Sequence, residues 1–367
     1  MGGAQRVGIA GAGAVALGTA AFLKKAGHTP ALWSPSGEGT APFKAEPLTA
    51  KGAVETSFAP VVAASAQALA ETTDVIVIAL PAYGHKAVFD ALAPHLADGQ
   101  PVIISSPASF GALYLSKRLA ERGVQGPILA WGTTLVTGRR SGTTVNVNTV
   151  RQRIDCASLP AEDGGKGRAL CEALFGERFV DRGSLMAIAL SNLNPQNHMG
   201  IALCNMTRME HGETWSQGFN VTPNVGRLLE ALDAERLAIA EALGLKVRTI
   251  FEHFSLSFHV PQDSVSAMNQ QMHAEGRGGT GPATADSRYV TEDVPYGLLA
   301  TVKLGELVGR PAPLHKAGVQ IFCALYGRDF MAENDLLAAL DLDALGLDQL
   351  LQLSREGYGK ASIAATP

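Results

Sequence analysis

Arg6-Val7-Gly8-Ile9-Ala10-Gly11-Ala12-Gly13-Ala14-Val15-Ala16-Leu17-Gly18 decides how the rest of the chain is read. The apolar run at 7–10 predicts a buried strand, Gly11 and Gly13 a tight turn, and residues 14–26 a helix ended by Gly27. Gly11 has no Cβ to obstruct the turn, Gly13 lets the backbone approach a pyrophosphate, and Ala16 keeps helix and strand close. The free N–H groups of Gly13, Ala14 and Val15 then face the phosphates with the positive end of the helix dipole behind them. In a chain with 40 glycines such a spacing arises readily by chance. The strand before it and the helix after it are what make it a dinucleotide fingerprint rather than an ordinary glycine turn.

The next strand is expected at 30–33, followed by Ser34-Pro35-Ser36-Gly37-Glu38. A carboxylate at such a strand end holds the ribose 2′-hydroxyl of NAD. Here Ser34, Pro35 and Ser36 stand instead, with no acid before Glu38. Two neutral donors and no repelling charge favour NADP(H), with NAD(H) possible, although no arginine follows in the local sequence.

Strand and helix signals then alternate. Residues 37–60 read as an irregular connection with one short strand near 54–58. A helix is expected at 65–71, an apolar strand at 74–80, a helix at 83–96, a strand at 101–105 and a helix at 110–122. This is the pattern of a Rossmann-type, doubly wound parallel sheet. Ligands lie at the carboxyl ends of its strands, so Pro81, Ala82 and the 105–107 turn should border the cofactor. His85 reads either as a residue near the cofactor or, the plainer option, as a helix-face residue. Strand-like pieces at 128–131, 143–148 and 153–157 and a helix at 164–175 complete an α/β domain over 1–185. Beyond it the pattern is helical, giving an all-helical second domain over 186–367.

The composition agrees with two packed domains: 46% of 367 residues are apolar. Thirty basic and 34 acidic residues leave a net charge of −4, which gives no electrostatic case for nucleic acid or an anionic membrane. Apolar runs are too short to span a bilayer and the N-terminus has no leader pattern, so a cytoplasmic protein acting on small molecules is expected. Cys156, Cys171, Cys204 and Cys323 have no paired spacing, so neither a disulfide framework nor a metal site is expected.

Two polar clusters interrupt the helical half. Residues 185–209 read as one long apolar helix carrying Asn192, Asn194, Pro195, Asn197, His198 and Asn205. Pro195 kinks or restarts it, and Asn194, His198 and Asn205 share one face. A lone histidine on an apolar helix is ordinarily structural; amides around it and a nucleotide domain beside it favour an acid–base role. The second cluster is Arg288-Tyr289-Val290-Thr291-Glu292-Asp293-Val294-Pro295-Tyr296-Gly297. By itself it is an ordinary helix start, with Thr291 as cap and acids at the positive dipole end.

The Gly11–Ala16 turn, Asn194-Pro195-x-x-His198 and Arg288-x-x-x-Glu292-Asp293-Val294-Pro295, in this order, resemble the octopine/nopaline (opine) dehydrogenases over about residues 5–330. The resemblance implies an enzyme that joins an α-keto acid to the amino group of an amino acid and reduces the imine with NADH or NADPH. It implies that His198 is the catalytic histidine, Asp293 its carboxylate partner, and Arg288 the clamp for the keto-acid carboxylate; Asn194, on the helix face of His198, is expected to contact the substrate. A homodimer is the expected assembly. Octopine-type members have an acid about where residues 130–135 lie here, and this segment has none. Trp131 and Thr133, with Met199, Met206 and Phe219 available, therefore predict a pocket for neutral or apolar amino acids. An unpaired guanidinium in such a cleft would cost several kcal/mol. Two other readings remain. A glycerol-phosphate or ketopantoate type of dehydrogenase would show a lysine near 194–205, and a non-catalytic dinucleotide sensor would have no use for His198 with Asp293.

Overall fold

The computed structural model describes residues 3–342 and 344–359. They divide into two compact units, one running to Ala189 and resuming at Asp348, the other Leu190–Leu347.

Among the described residues the first unit is built on twelve strands in two sheets. Chain order gives β1 (Arg6–Ala10), β2 (Thr29–Trp33), β3 (Leu48–Gly52), β4 (Thr56–Phe58), β5 (Val61–Val62), β6 (Val75–Ile78), β7 (Val102–Ser105) and β8 (Ile128–Trp131). β9 (Val136–Ser141), β10 (Thr144–Val150), β11 (Ile154–Leu159) and β12 (Phe179–Asp181) follow. Helices α1 (Ala14–Lys25), α2 (Ala66–Thr72), α3 (His85–Leu92), α4 (Gly111–Ala120), α5 (Gly164–Phe175) and the short α6 (Leu185–Ala189) lie between and after them. The main sheet runs β12-β11-β8-β7-β6-β1-β2-β5 and is parallel except where β11 meets β8. β6 is Val-Ile-Val-Ile and wholly buried, as a central strand covered on both faces must be. β1 pairs with β2 on one side and β6 on the other, so the winding reverses there and opens a crevice beyond the carboxyl ends of β1 and β6.

The second sheet, β4-β3-β10-β9, covers the outer side of α1. A Cβ on Gly18 would sit 2.8 Å from Val136 Cγ2, and one core holds Ala16, Leu17 and Ala20 with Val7 and Ile9 from one sheet and Leu48, Val136 and Val145 from the other. That is why α1 is apolar all round: it is packed between two sheets rather than lying on one. The expectation of an irregular 37–60 connection therefore missed β3. Its Leu-Thr-Ala-Lys-Gly sequence carries only two inward apolar residues, too weak a signal to stand out.

The first unit also takes back residues 348–359, which differs from a second domain expected over 186–367. After α15 (Leu347–Glu356), the Tyr358 N–H donates to Ser116 Oγ at 2.8 Å and Lys117 lies over the Tyr358 ring. Leu350 and Leu353 are buried, as the apolar face of an amphipathic helix requires.

The second unit contains α7 (Asn194–Glu210), α8 (Pro223–Ala242), α9 (Ile250–Phe258), α10 (Val265–Ala274), α11 (Arg288–Thr291), α12 (Leu299–Leu307), α13 (Pro313–Tyr326) and α14 (Asp335–Leu340). Met199, Ala202, Leu229, Met268, Val290, Val294, Val319 and Phe322 share its core. A buried Asp233–Arg236 pair ties α8 to Gln196 on α7, at 2.8 Å, and to the N–H of Ile250 at the start of α9, also at 2.8 Å. Both charges are thereby hydrogen-bonded, which burial demands. The stretch expected as one helix over 185–209 is two. Pro195 sits in the first turn of α7, where its missing N–H costs nothing, so it restarts the helix and does not kink it. The kink lies at Asn205 (φ −132°, ψ 20°), whose side-chain amide donates to the Ile201 carbonyl at 3.0 Å.

Among the described residues no helix is long and apolar enough to cross a membrane.

Candidate active site

In the first unit the glycine turn has the form a dinucleotide requires. Gly11 has φ +136° and its N–H donates to the Trp33 carbonyl at 2.8 Å; a Cβ there would fall 2.2 Å from the Ala79 oxygen. Only glycine fits, because the turn after β1 is pressed against the chain leaving β6. Gly13 is the opposite case. It caps α1 in an extended conformation, with no side chain satisfying the helix's first N–H groups, and a Cβ there would meet nothing within 4 Å. Unsatisfied amides of Ala14, Val15 and Ala16 behind an open approach fit a pyrophosphate. Ala82 is buried and Pro81 half-buried in the turn after β6, at the crevice edge. Ser34 is buried against Thr40 (Oγ to Oγ1, 3.3 Å), while Ser36 is exposed and its Oγ accepts the Glu38 N–H. His85 is fully buried, with Nε2 3.0 Å from the Leu80 carbonyl oxygen, and burial drives its pKa down to about 4. It is a neutral core group beneath the turn.

In the second unit His198 and Asp293, 95 residues apart, meet with Nδ1 2.7 Å from Oδ2. Asp293 reaches this place because α11 ends and a π-turn (Val294–Leu298) begins behind it, with Pro295 in its first turn. Such irregular turns recur at functional sites. A carboxylate accepts only, so Nδ1 carries the hydrogen and Nε2 is left to exchange protons. Tyr289, one turn before Asp293, stacks on the imidazole with ring centroids 3.5 Å apart and planes 8° from parallel. Its hydroxyl donates to Gln217 Oε1 at 2.8 Å, and burial, then the charge of Asp293, raises its pKa, so it stays a neutral phenol. Carboxylate and stacked ring together fix the imidazole in its plane and across it. The His198 and Asp293 side chains remain 20% and 17% exposed, which leaves the pair reachable. Arg288 projects with 70% of its side chain exposed and only a 3.5 Å contact to Glu292, a cation available to an incoming carboxylate. Asn194 is exposed one turn before His198.

Several sequence expectations are corrected here. Trp131 is not a pocket wall: it is 0% exposed, its ring centroid lies 5.1 Å from those of Phe175 and Phe179, and its indole N–H donates to Cys171 Sγ at 3.4 Å. As the last residue of β8 it faces α5 and β12, where a large aromatic fills the core. Thr133, just beyond, is half-buried. Met199 is core as well, pressed on Gly318, and Asn205 is buried and committed to Ile201 instead of joining a polar face with His198. Tyr289 and Gln217 were not anticipated, since an aromatic next to Arg288 carries no sign of what it stacks on. Among the described residues no group of three or more His, Cys, Asp or Glu is placed to hold a metal ion.

Comparison with known proteins decides the family. Residues 181–326 match the family described as NAD/NADP octopine/nopaline dehydrogenase, alpha-helical domain, and residues 7–156 match ketopantoate reductase PanE/ApbA. Over 278 residues the chain is 33% identical to an opine dehydrogenase of Arthrobacter sp. (strain 1C), covering 74% of this chain and 76% of that relative. The chain belongs to the opine dehydrogenase family. Solved structures agree on the fold. An octopine dehydrogenase with NADH and L-arginine matches with TM-score 0.76 at 16% identity, covering 96% of this chain and 99% of that one. A yersinopine dehydrogenase with NADP+ bound matches with TM-score 0.72 at 15% identity, covering 92% and 97%. As an opine dehydrogenase the protein is an NAD(P)-dependent oxidoreductase acting on a CH–NH group. The nucleotide half thus matches the ketopantoate reductase family and the helical half the octopine/nopaline family.

Proposed function

We propose that this opine dehydrogenase condenses an α-keto acid of the pyruvate type with the amino group of a neutral or apolar L-amino acid and reduces the resulting imine, with NADPH preferred over NADH. The observation that carries the reading is the His198–Asp293 pair at 2.7 Å, on a reachable surface with the Arg288 cation on the neighbouring turn.

Arg288 holds the keto-acid carboxylate through paired N–H donors, and the amide of Asn194 adds a neutral hydrogen bond. His198 Nε2 takes a proton from the amino group, so that the nitrogen lone pair forms the C–N bond to the keto carbon. In the adduct the new C–N nitrogen passes one proton to the oxygen and His198 Nε2 returns the other; the oxygen leaves as water and the nitrogen lone pair closes the C=N bond. Asp293 keeps Nδ1 protonated and offsets the imidazolium charge between these transfers. When bound at Gly11–Ala16, the reduced nicotinamide supplies the hydride.

The choice of amino acid rests on the absence of an acid at Gly132-Thr133-Thr134, just beyond the buried Trp131. Two acids elsewhere that would reverse it are already committed: Glu213 pairs with Arg208 at 2.7 Å and Glu275 with Arg277. A panel of keto acids against amino acids, followed by loss of reduced-nicotinamide absorbance, tests the reading. With pyruvate fixed, kcat/KM for phenylalanine or leucine is expected to exceed that for arginine by about a thousandfold, the equivalent of several kcal/mol for an unpaired cation. A higher value for arginine would sink the assignment of neutral substrates.

A further inference from the structure

We propose that Arg140, together with the Ser34 hydroxyl, is the subsite for the 2′-phosphate of the adenosine ribose. The inference rests on the preference for NADPH and names the group that enforces it.

No arginine follows β2 in sequence, but the second sheet supplies one from far along the chain. At the end of β9, Arg140 reaches back 128 residues, and its Nη1 donates to the Ala12 carbonyl inside the glycine turn at 2.6 Å. Nε donates to the Gly142 carbonyl at 2.8 Å, and the guanidinium lies 5.3 Å from the centroid of the Phe43 ring. The cation is thus held by two neutral oxygens and an aromatic face. Among the described residues no carboxylate pairs with it, and its Nη2 has no protein acceptor. The side chain is half-buried, and burial pulls its pKa below the usual value. A partly desolvated guanidinium without a counter-ion is a standing cost unless an anion arrives to neutralise it.

Its position selects the anion. A Cβ on Gly39 would lie 2.7 Å from Ala12 Cβ, 3.5 Å from Ser34 Oγ and 3.8 Å from Arg140 Nη1. The glycine turn, the end of β2 and Arg140 therefore converge on one glycine, and the end of β2 is where the ribose 2′ substituent is read. A phosphate there meets the Nη2 donors of a guanidinium that its other two contacts hold in place, and a hydroxyl. A 2′-hydroxyl would leave the guanidinium unpaired.

Isothermal titration with adenosine 2′,5′-bisphosphate and with 5′-AMP tests this on wild type, Arg140→Gln, Arg140→Lys and Ser34→Ala. Wild type is expected to bind the bisphosphate about tenfold or more tighter than 5′-AMP, as one charge-assisted pair provides. Arg140→Gln brings that ratio close to one, Arg140→Lys restores part of it, and Ser34→Ala lowers it by a smaller factor. The NADPH-to-NADH ratio of kcat/KM falls in parallel. Equal loss of both ligands in Arg140→Gln would mean that the side chain only braces the Ala12 carbonyl, and a wild-type ratio retained by the variant would mean that another group reads the phosphate. Either overturns the inference and leaves the NADPH preference standing. A wild type that does not favour the bisphosphate overturns both.

Discussion

His198→Ala is expected to lower kcat by about two to four orders of magnitude, the usual worth of a positioned acid–base group, while dinucleotide affinity is unchanged. The two readouts separate because His198 belongs to the helical unit and the glycine turn to the other. The large factor follows from the number of proton transfers assigned to one nitrogen: deprotonation of the amine and protonation of the leaving oxygen both pass through Nε2. Alanine removes that relay and leaves binding of the carboxylate by Arg288 intact, so KM for the keto acid should change much less than kcat. A single-turnover measurement with saturating substrates and a fluorescence titration of the nicotinamide check the two halves. Loss of dinucleotide affinity together with kcat would make His198 a structural residue.

Asp293→Asn is the second large effect, an expected loss of about two to three orders of magnitude in kcat with the fold preserved. The amide has nearly the shape of the carboxylate and the Asp293 side chain caps no helix N–H, so the substitution opens no cavity and removes no cap. Its consequence is electrostatic. An amide carries no charge to offset an imidazolium, and it can turn its NH2 toward Nδ1, which places the hydrogen on the wrong ring nitrogen. Thermal unfolding should stay within a few degrees of wild type, because an isosteric substitution at this partly buried position opens no cavity. A kcat within a few-fold of wild type would show that Asp293 does not orient His198.

What the sequence reveals and what it hides follow from distance along the chain. Strand, glycine turn and helix are contiguous over residues 6–25, so the dinucleotide half can be read locally, and the buried Val-Ile-Val-Ile run of β6 announces its own place in the sheet. The contact between His198 and Asp293 spans 95 residues and has no local signature; only the resemblance of two motifs pairs them. Tyr289 and Arg140 act through contacts of the same long-range kind and carry no motif, so both surface only in three dimensions. Trp131 was misplaced for a different reason. A strand-end aromatic can face either side of a sheet, and the side is decided by α5 and β12, which come some forty residues later in the chain. The return of α15 to the first unit is equally invisible, since an amphipathic helix states that it needs a partner and not which one.

The most direct test of the central claim, reductive condensation, is the identity of the product. Purified protein is incubated with pyruvate, 15N-labelled phenylalanine and NADPH, and the mixture is resolved by mass spectrometry. The account predicts one secondary amine that retains the 15N and carries both carbon skeletons, formed in equal amount to the nicotinamide oxidised and only when both substrates are present. Lactate formed from pyruvate without uptake of the label would contradict it, as would complete inertness toward every pairing of keto acid and amino acid.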